Sequence, residues 1–338
     1  MSENIFDCAI IGAGPVGLFA AYYAGVRTMS TVVVESLTTS GGQLSTLYPE
    51  KYIYDVGGFP KIKAQTLVDQ LVEQAAPYHP VYRFGERAEQ LQVLPDSNLQ
   101  LTTTRSTILA RSLIIAAGVG AFEPTRLDAE GVDVYEDRGV YYAITDLEPF
   151  HDQNVLVIGG GDTALDYALM LLPVARSVTL IHRRDVFRAQ EDSLRKLRNS
   201  NAQIFTFHEL RAIKGDTQQP TEAIIFDNRS GAETTLPVSR IVIGLGFKSK
   251  LGPIAQWGLE LTGNKIKVDS CMRTNLPGVY ACGDIVTYEG KLDLIATGFG
   301  EAPIAVNQAK HYLDPKARIF PGHSSNREER HQKELAQT

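Results

Sequence analysis

Two clusters of small residues, each directly after an apolar run, carry the clearest chemistry in this sequence. In IIGAGPVG, Gly12, Gly14 and Gly17 form GxGxxG, a turn whose bare backbone N–H groups at a helix start can close on a pyrophosphate. Glu35 ends the next apolar run, VVVE. A carboxylate there accepts hydrogen bonds from ribose hydroxyls and repels a 2'-phosphate. In VIGGGDTALDYA, Gly159, Gly161 and Ala164 repeat the register as GxGxxA, with Asp162 and Thr163 in the turn. Counted from the first glycine, Glu35 lies 23 positions on (35 − 12), and so does His182 (182 − 159). Where the first cluster has an acid, the second has His182, Arg183 and Arg184, followed by Arg188. Guanidinium forks suit a phosphate dianion, so the second site should take NADPH in preference to NADH.

Each turn needs a strand to deliver it and a helix to receive it. The stretches FDCAIIGAGPVGLFAAYYAGVRTMSTVVVES and NVLVIGGGDTALDYALMLLPVARSVTLIHRR both read strand, glycine turn, helix, strand, about 147 positions apart (159 − 12). Their β-branched runs lack polar alternation, as expected of strands covered on both faces. SLIIAAGVG around Gly118 and RIVIGLGF around Gly246 match each other and read as the last strand of each unit. The expected fold is α/β, with two Rossmann-like, three-layer ββα dinucleotide-binding domains, the second, NADPH-binding one inserted in the first. The boundaries expected are 1–118 and 246–326 for the two parts of the first domain, 119–245 for the NADPH domain, and 327–338 for a C-terminal extension.

Near the end of the chain, LPGVYACGDI is an apolar run finishing in Cys282, Gly283 and Asp284, followed by a helix expected from about Thr297. Asp284 at a strand end can hold a polyol chain such as ribityl, and the helix N-terminus offsets negative charge on a reduced flavin. After GxGxxG and Glu35, CGD is a flavin signal, which makes FAD the cofactor of the first site. The aromatic candidates for flavin contact are Tyr48, after GGQLSTLYP, and His323, in FPGHSSN. Taken alone, each is better read as a core tyrosine or a surface histidine than as a stacking group.

The bulk composition narrows the partners. The net charge of −6 argues against nucleic acid or an anionic membrane as the main partner, since both select for basic surfaces. The three cysteines, Cys8, Cys271 and Cys282, have no CxxC spacing, and a reduced cytoplasmic protein fits them best. The N-terminus lacks the basic start of a signal peptide, and no run approaches the roughly 20 apolar residues that span a bilayer.

Taken together, IGAGPVGLFAAYYAG, GGQL, AAG, VIGGGDTALDYA, HRRDVFRAQ and ACGD resemble the two-domain pyridine nucleotide flavoproteins of the thioredoxin reductase fold, in that family's order and over nearly the whole chain. Thioredoxin reductases carry a CxxC just before the second strand-turn-helix unit. Here GVYYAITDLEPF puts Ala143 to Asp146 in that place, so no thiol relay to a disulfide is available. GGQLSTLYPEKYIYDVGGFPKI and FPGHSSN resemble the subgroup that keeps the fold without the cysteine pair, the thioredoxin-reductase-like ferredoxin–NADP(+) reductases. That resemblance implies hydride exchange between NADPH and FAD and single-electron exchange with ferredoxin or flavodoxin, with no acid, base or metal. It also implies that Tyr48 stacks on one flavin face. The extension of one subunit of a homodimer would bring His323 over the other face, with Ser325 nearby. Gln43, Ala88 and Phe122 are implied as further flavin contacts. Lys61 and Lys63 are candidates for a basic patch toward an acidic carrier. Two readings stay open beside this one: a flavin oxidoreductase acting on a small molecule, and a thioredoxin-reductase-like enzyme without its own redox disulfide.

Overall fold

A computed structural model describes residues 5–322, with the backbone alone described at 121–123 and at 248 and 249. The chain forms two compact units. One comprises the chain up to Gly42, Asp69–Gly120 and the chain from Leu251; the other comprises Gln43–Val68 and Ala121–Lys250.

In the first unit the apolar run Cys8–Ile11 is the central strand of a five-stranded sheet. The strand order is Val279–Ala281, Leu113–Ile115, Cys8–Ile11, Thr31–Glu35, Val81–Phe84, and every pairing is parallel. The burial that the sequence anticipates is present: Cys8, Ala9, Ile10 and Ile11 are all buried, and so are Thr31–Glu35. The helix Pro15–Val26 buries Gly17, Leu18, Ala20, Ala21, Ala24 and Gly25. Its small side chains let the helix lie close to the sheet. A three-stranded antiparallel sheet, Ala88–Val93, Leu99–Thr103 and Thr107–Ala110, adds a further layer.

The second unit repeats this plan. Its parallel sheet runs Val140–Tyr141, Arg240–Ile243, Asn154–Ile158, Ser177–His182, Gln203–Thr206. Cys8 pairs with Thr31 and Asn154 with Ser177, each 23 residues apart (31 − 8; 177 − 154). The two central strand pairs therefore share one register. Successive side chains of a strand point to opposite faces, and both faces here are apolar. Leu156, Ile158, Ile181, Ile241 and Ile243 pack with Leu210, Ile213, Ala223 and Ile225 of an antiparallel sheet. Val155, Val157, Val178, Leu180 and Val242 pack with Leu165, Tyr167, Ala168 and Leu171 of the helix Asp162–Leu171. At about 1.5–3 kcal/mol for each buried aliphatic side chain, this double cover is what fixes the strands and, with them, the turn at their ends. The three-layer ββα arrangement expected from the sequence is thus present in both units.

Two features of the second unit have no counterpart in the repeat. Ala121–Pro124 and Phe247–Lys250 pair antiparallel, so the two chain segments that bound the insertion run as one hydrogen-bonded ribbon. The segment Gln43–Val68, placed by sequence with the first part of the FAD domain, clusters with the second unit. The Tyr167 hydroxyl donates to the Leu47 carbonyl at 3.3 Å, and Lys51 pairs with Asp166 at 2.6 Å. Both partners belong to the helix Asp162–Leu171, which explains why a segment so far away in sequence is held there. Among the described residues, no helix is long and apolar enough to cross a membrane.

Candidate functional site

The first cradle is a tight packing of backbone on backbone. Gly12 has φ +102, and a Cβ there would lie 2.4 Å from the Ala116 carbonyl oxygen. A Cβ on Gly17 would lie 1.9 Å from the Gly12 carbonyl oxygen. Both positions admit only glycine, because the strand, turn and helix touch there. At Gly14, by contrast, a Cβ would meet nothing within 4 Å. That is the face a pyrophosphate needs open, at the N-terminus of a helix with no acid in its first turn.

Glu35 closes this cradle from the neighbouring strand. One oxygen, Oε2, accepts the Ala13 N–H at 2.8 Å. The other, Oε1, accepts the Leu37 N–H at 2.9 Å and the Ser36 hydroxyl at 3.1 Å. Three bonds against the roughly four acceptor sites of a carboxylate leave capacity on Oε2, beside the turn, for a ribose hydroxyl. The side chain is buried, so its bonds to Ala13 and Leu37 fix the acid against the turn.

Asp284 lies in the same unit, three residues past the strand Val279–Ala281. Burial pushes its carboxyl above the ordinary carboxylate range; Asp293 and Glu301 add to this, and Lys291 and Lys265 oppose it. Ala88 is buried at the start of the Ala88–Val93 strand. Gly12, Gly14, Gly17, Glu35, Ala88 and Asp284 thus belong to one compact unit, whereas Gln43, Tyr48 and Phe122 belong to the other. Gln43 opens the short helix Gln43–Leu47, Tyr48 follows it with the Lys51 ammonium 5.3 Å from its ring centre, and Phe122 sits in the ribbon opposite Ser249. His323 and Ser325 lie outside the described residues.

The second cradle is built alike and closed differently. A Cβ on Gly159 would lie 2.4 Å from the Gly244 carbonyl oxygen and 2.8 Å from the Ala164 Cβ. This is the same strand-to-helix contact as in the first cradle, with Ala164 in the place of the third glycine. His182 stands at the register position of Glu35 and ends the strand Ser177–His182. Its ring lies over the turn, 2.4 Å from where a Gly160 Cβ would stand, with Nε2 3.2 Å from the Val186 carbonyl and the ring 4.9 Å from that of Phe187. Burial pushes its pKa down, and Arg183 and Arg184 push the same way against the Val186 carbonyl. The ring is therefore a neutral spacer that sets where the following loop runs.

That loop returns to the glycine turn. The Arg188 N–H donates to the Gly160 carbonyl at 2.8 Å, Gly161 bridges Arg188 in parallel, and Asp162 accepts the Gln190 N–H at 2.9 Å. Asp162 and Thr163 begin the helix Asp162–Leu171. Arg183, Arg184 and Arg188 are exposed. Arg176, Arg195 and Arg229 are each committed to an aspartate, whereas these three make no ion pair with another described residue. The geometry thus brings together the turn, Asp162 and the backbone of Arg188, and keeps three guanidinium groups available beside it.

The remaining candidates divide. Cys8 and Cys282 are buried, and burial raises both thiols, Cys8 to about 12, which keeps them protonated and inert. Ala143 to Asp146 offer no thiol, and Ile144 is buried. Lys63 is neutralised by Glu50 at 2.6 Å, and Lys61 lies over the Tyr52 ring at 4.7 Å. Sequence reasoning missed Glu301, a buried acid that accepts the N–H of Gly283 at 2.7 Å. The one available signal was an acid within the run GFGEAPIAV.

The model of a family described as pyridine nucleotide-disulphide oxidoreductase matches residues 6–309. The chain belongs to that family. This pyridine nucleotide-disulphide oxidoreductase is 51% identical over 325 residues to ferredoxin–NADP reductase 2 of Shouchella clausii, covering 96% of this chain and 98% of that protein. It is likewise 51% identical over 331 residues to the ferredoxin–NADP reductase of Thermus thermophilus, covering 97% and 98%. Among solved structures it is similar to Lactococcus lactis thioredoxin reductase (TM-score 0.77, 27% identity, 91% of this chain and 99% of that one). It is also similar to the T. acidophilum enzyme (TM-score 0.79, 25% identity, 93% and 100%). The resemblance carried by the motifs is therefore borne out at the level of family and fold.

Proposed function

We propose that this chain is a ferredoxin–NADP(+) reductase that holds FAD in the first cradle and NADPH in the second. The observation that carries the reading is the contrast at one register position: an acid, Glu35, at the end of one second strand, and, after the other, arginines that pair with no carboxylate among the described residues. Support comes from the relatives named ferredoxin–NADP reductase, at about half identity over nearly full length. The first cradle fits FAD, since Gly14 leaves open space for a phosphate and Glu35 keeps an acceptor for ribose, and the second fits NADPH in its exposed Arg183, Arg184 and Arg188. Bound FAD supplies the chemistry that couples two-electron exchange with NADPH to one-electron exchange with a carrier. The chain's own part is to bind and to orient. The first helix N-terminus and Glu35 hold the adenosine half, and Asp284 holds the flavin half. Gln43, Tyr48, Ala88 and Phe122 line the ring, and His323 and Ser325 come from the extension of a second subunit. Arg183, Arg184 and Arg188 select the 2'-phosphate, while Gly159, Gly161, Asp162, Thr163, Ala164 and His182 shape the turn. In this reading 119–245 is the NADPH domain, inserted between FAD-domain parts 1–118 and 246–326, with 327–338 as the extension. The protein acts in the cytoplasm, in keeping with three free cysteines.

Anaerobic reduction of the holoprotein by NADPH, followed by reoxidation with ferredoxin or flavodoxin in turn, tests the reading. Fast reoxidation by either carrier is expected. A flavin that NADPH reduces but neither carrier reoxidises would instead favour a reductase of small molecules. Size-exclusion chromatography with light scattering should give a dimer.

A further inference from the structure

The long helix Ile295–Leu313 carries an acid on its buried face. Glu301 is 3% exposed, and Gly298, Ala302 and Ala305 around it are buried as well. Removing a carboxylate from water is costly unless it is both paired and hydrogen-bonded. Here it is both. Oε2 accepts the Gly283 N–H at 2.7 Å, while Oε1 accepts the Tyr288 hydroxyl and the Lys291 ammonium, each at 2.7 Å. The Lys291 side chain is itself only 4% exposed. A buried pair of this kind is commonly no more stabilising than apolar residues of equal volume. Its stability contribution alone does not account for it.

Gly283 supplies a better account. It stands between the last strand of the first sheet and Asp284, with φ +82, and its N–H goes to the acid. A Cβ on Gly283 would touch the Val16 side chain at 3.4 Å, and a Cβ on Gly298, one turn before Glu301, would meet the same side chain at 2.3 Å. Val16 is the second residue of the helix that closes the first cradle. One turn of the long helix therefore braces the Gly283–Asp284 turn and abuts the start of the first helix.

We propose that Glu301 is a positioning residue for FAD: by holding the Gly283 N–H it fixes the turn that presents Asp284, with Lys291 as its internal counter-charge and Tyr288 as a second donor. The inference rests on the reading of Asp284 as a flavin contact. Lys291 has a definite part in it. It cancels a negative charge that would otherwise sit beside Asp284, whose carboxyl already lies among Asp293, Glu301, Lys265 and Lys291.

The test separates acceptor from charge. Full-length protein is stripped of FAD, its dissociation constant for FAD is measured by quenching of flavin fluorescence, and thermal melting reports the fold. The Glu301→Gln/Lys291→Met double variant removes both charges and keeps an amide oxygen for the Gly283 N–H; it should bind FAD within about threefold of the unaltered chain. Glu301→Ala/Lys291→Met removes the acceptor too and should bind on the order of tenfold more weakly, as expected for a stranded buried N–H. Equal FAD affinity in the two double variants would overturn the inference, leaving the cluster an ordinary core ion pair. Asp284→Asn is the control for the underlying reading. If it loses FAD affinity while the double variants match each other, Glu301 alone was misread; if it binds FAD as before, the reading of Asp284 falls and the inference falls with it.

Discussion

The two cradles share a sheet order, a register and a close approach in which a Cβ on the first glycine would strike, at 2.4 Å, the carbonyl oxygen just past the neighbouring strand. They differ in what stands 23 residues later. Glu35 turns inward and spends three of its acceptor sites on the turn and its own strand end. His182 folds over its own turn and leaves the polar work to Arg183, Arg184 and Arg188. On the proposed reading, the shared scaffold decides where a dinucleotide lies and the end of the second strand decides which one. One is read by a fixed, buried acceptor. The other is read by exposed donors.

The sharpest way to break this comparison is to disable each turn separately. Gly12→Ala forces a side chain into left-handed backbone and onto the Ala116 carbonyl, at roughly 1–3 kcal/mol for strain and a similar amount for overpacking. FAD affinity should fall on the order of 100-fold or more, and the protein should purify colourless. Gly159→Ala should raise KM for NADPH by a similar factor while the flavin absorbance stays; loss of flavin in that variant would show that the cradles are misassigned. Next in size, Arg183→Ala with Arg184→Ala should cut the preference for NADPH over NADH about tenfold or more, since hydrogen bonds to charged groups are worth roughly 1.5–3 kcal/mol each. Steady-state kinetics with both coenzymes would read this, and an unchanged ratio would sink the assignment.

Smaller again, Glu35→Gln should weaken FAD severalfold without altering coenzyme choice, because the amide keeps an acceptor but places a donor against Ala13 or Leu37 N–H. The smallest effect concerns pH. Asp284 is held above the ordinary carboxylate range, so the folded apoprotein binds its proton more tightly than the unfolded chain does. Stability contributed by this group is therefore present at low pH and lost as pH rises from about 4, the unfolded value, through the raised one. Asp284→Asn should melt higher than the unaltered apoprotein at pH 8, with the difference closing below about pH 4. Melting curves across that range would show whether the slope exists.

Much of this was legible in the residues because it is local. The strand, turn, helix and strand of each unit lie within about thirty residues, and spacing reports register directly: Cys8 opposite Thr31, Asn154 opposite Ser177. What depends on distant partners was not legible. The segment Gln43–Val68 gives no sign that Leu47 and Lys51 meet Tyr167 and Asp166. The seat of the His182 ring was not legible either, because it depends on the room over Gly160 and on Val186 and Phe187 as partners. Glu301 was invisible as a partner of Gly283, since one acid in a helix does not say which N–H, 18 residues earlier, it will accept.

The first sheet joins Leu113–Ile115 to Val279–Ala281, and the whole inserted unit separates the two in sequence. During synthesis, then, the strand Leu113–Ile115 waits with one neighbour missing until Val279–Ala281 has been made, while the insertion already has what it needs to close. An unpaired inner strand is an adhesive surface. A nascent chain stalled between residues 250 and 279 is therefore where aggregation should concentrate.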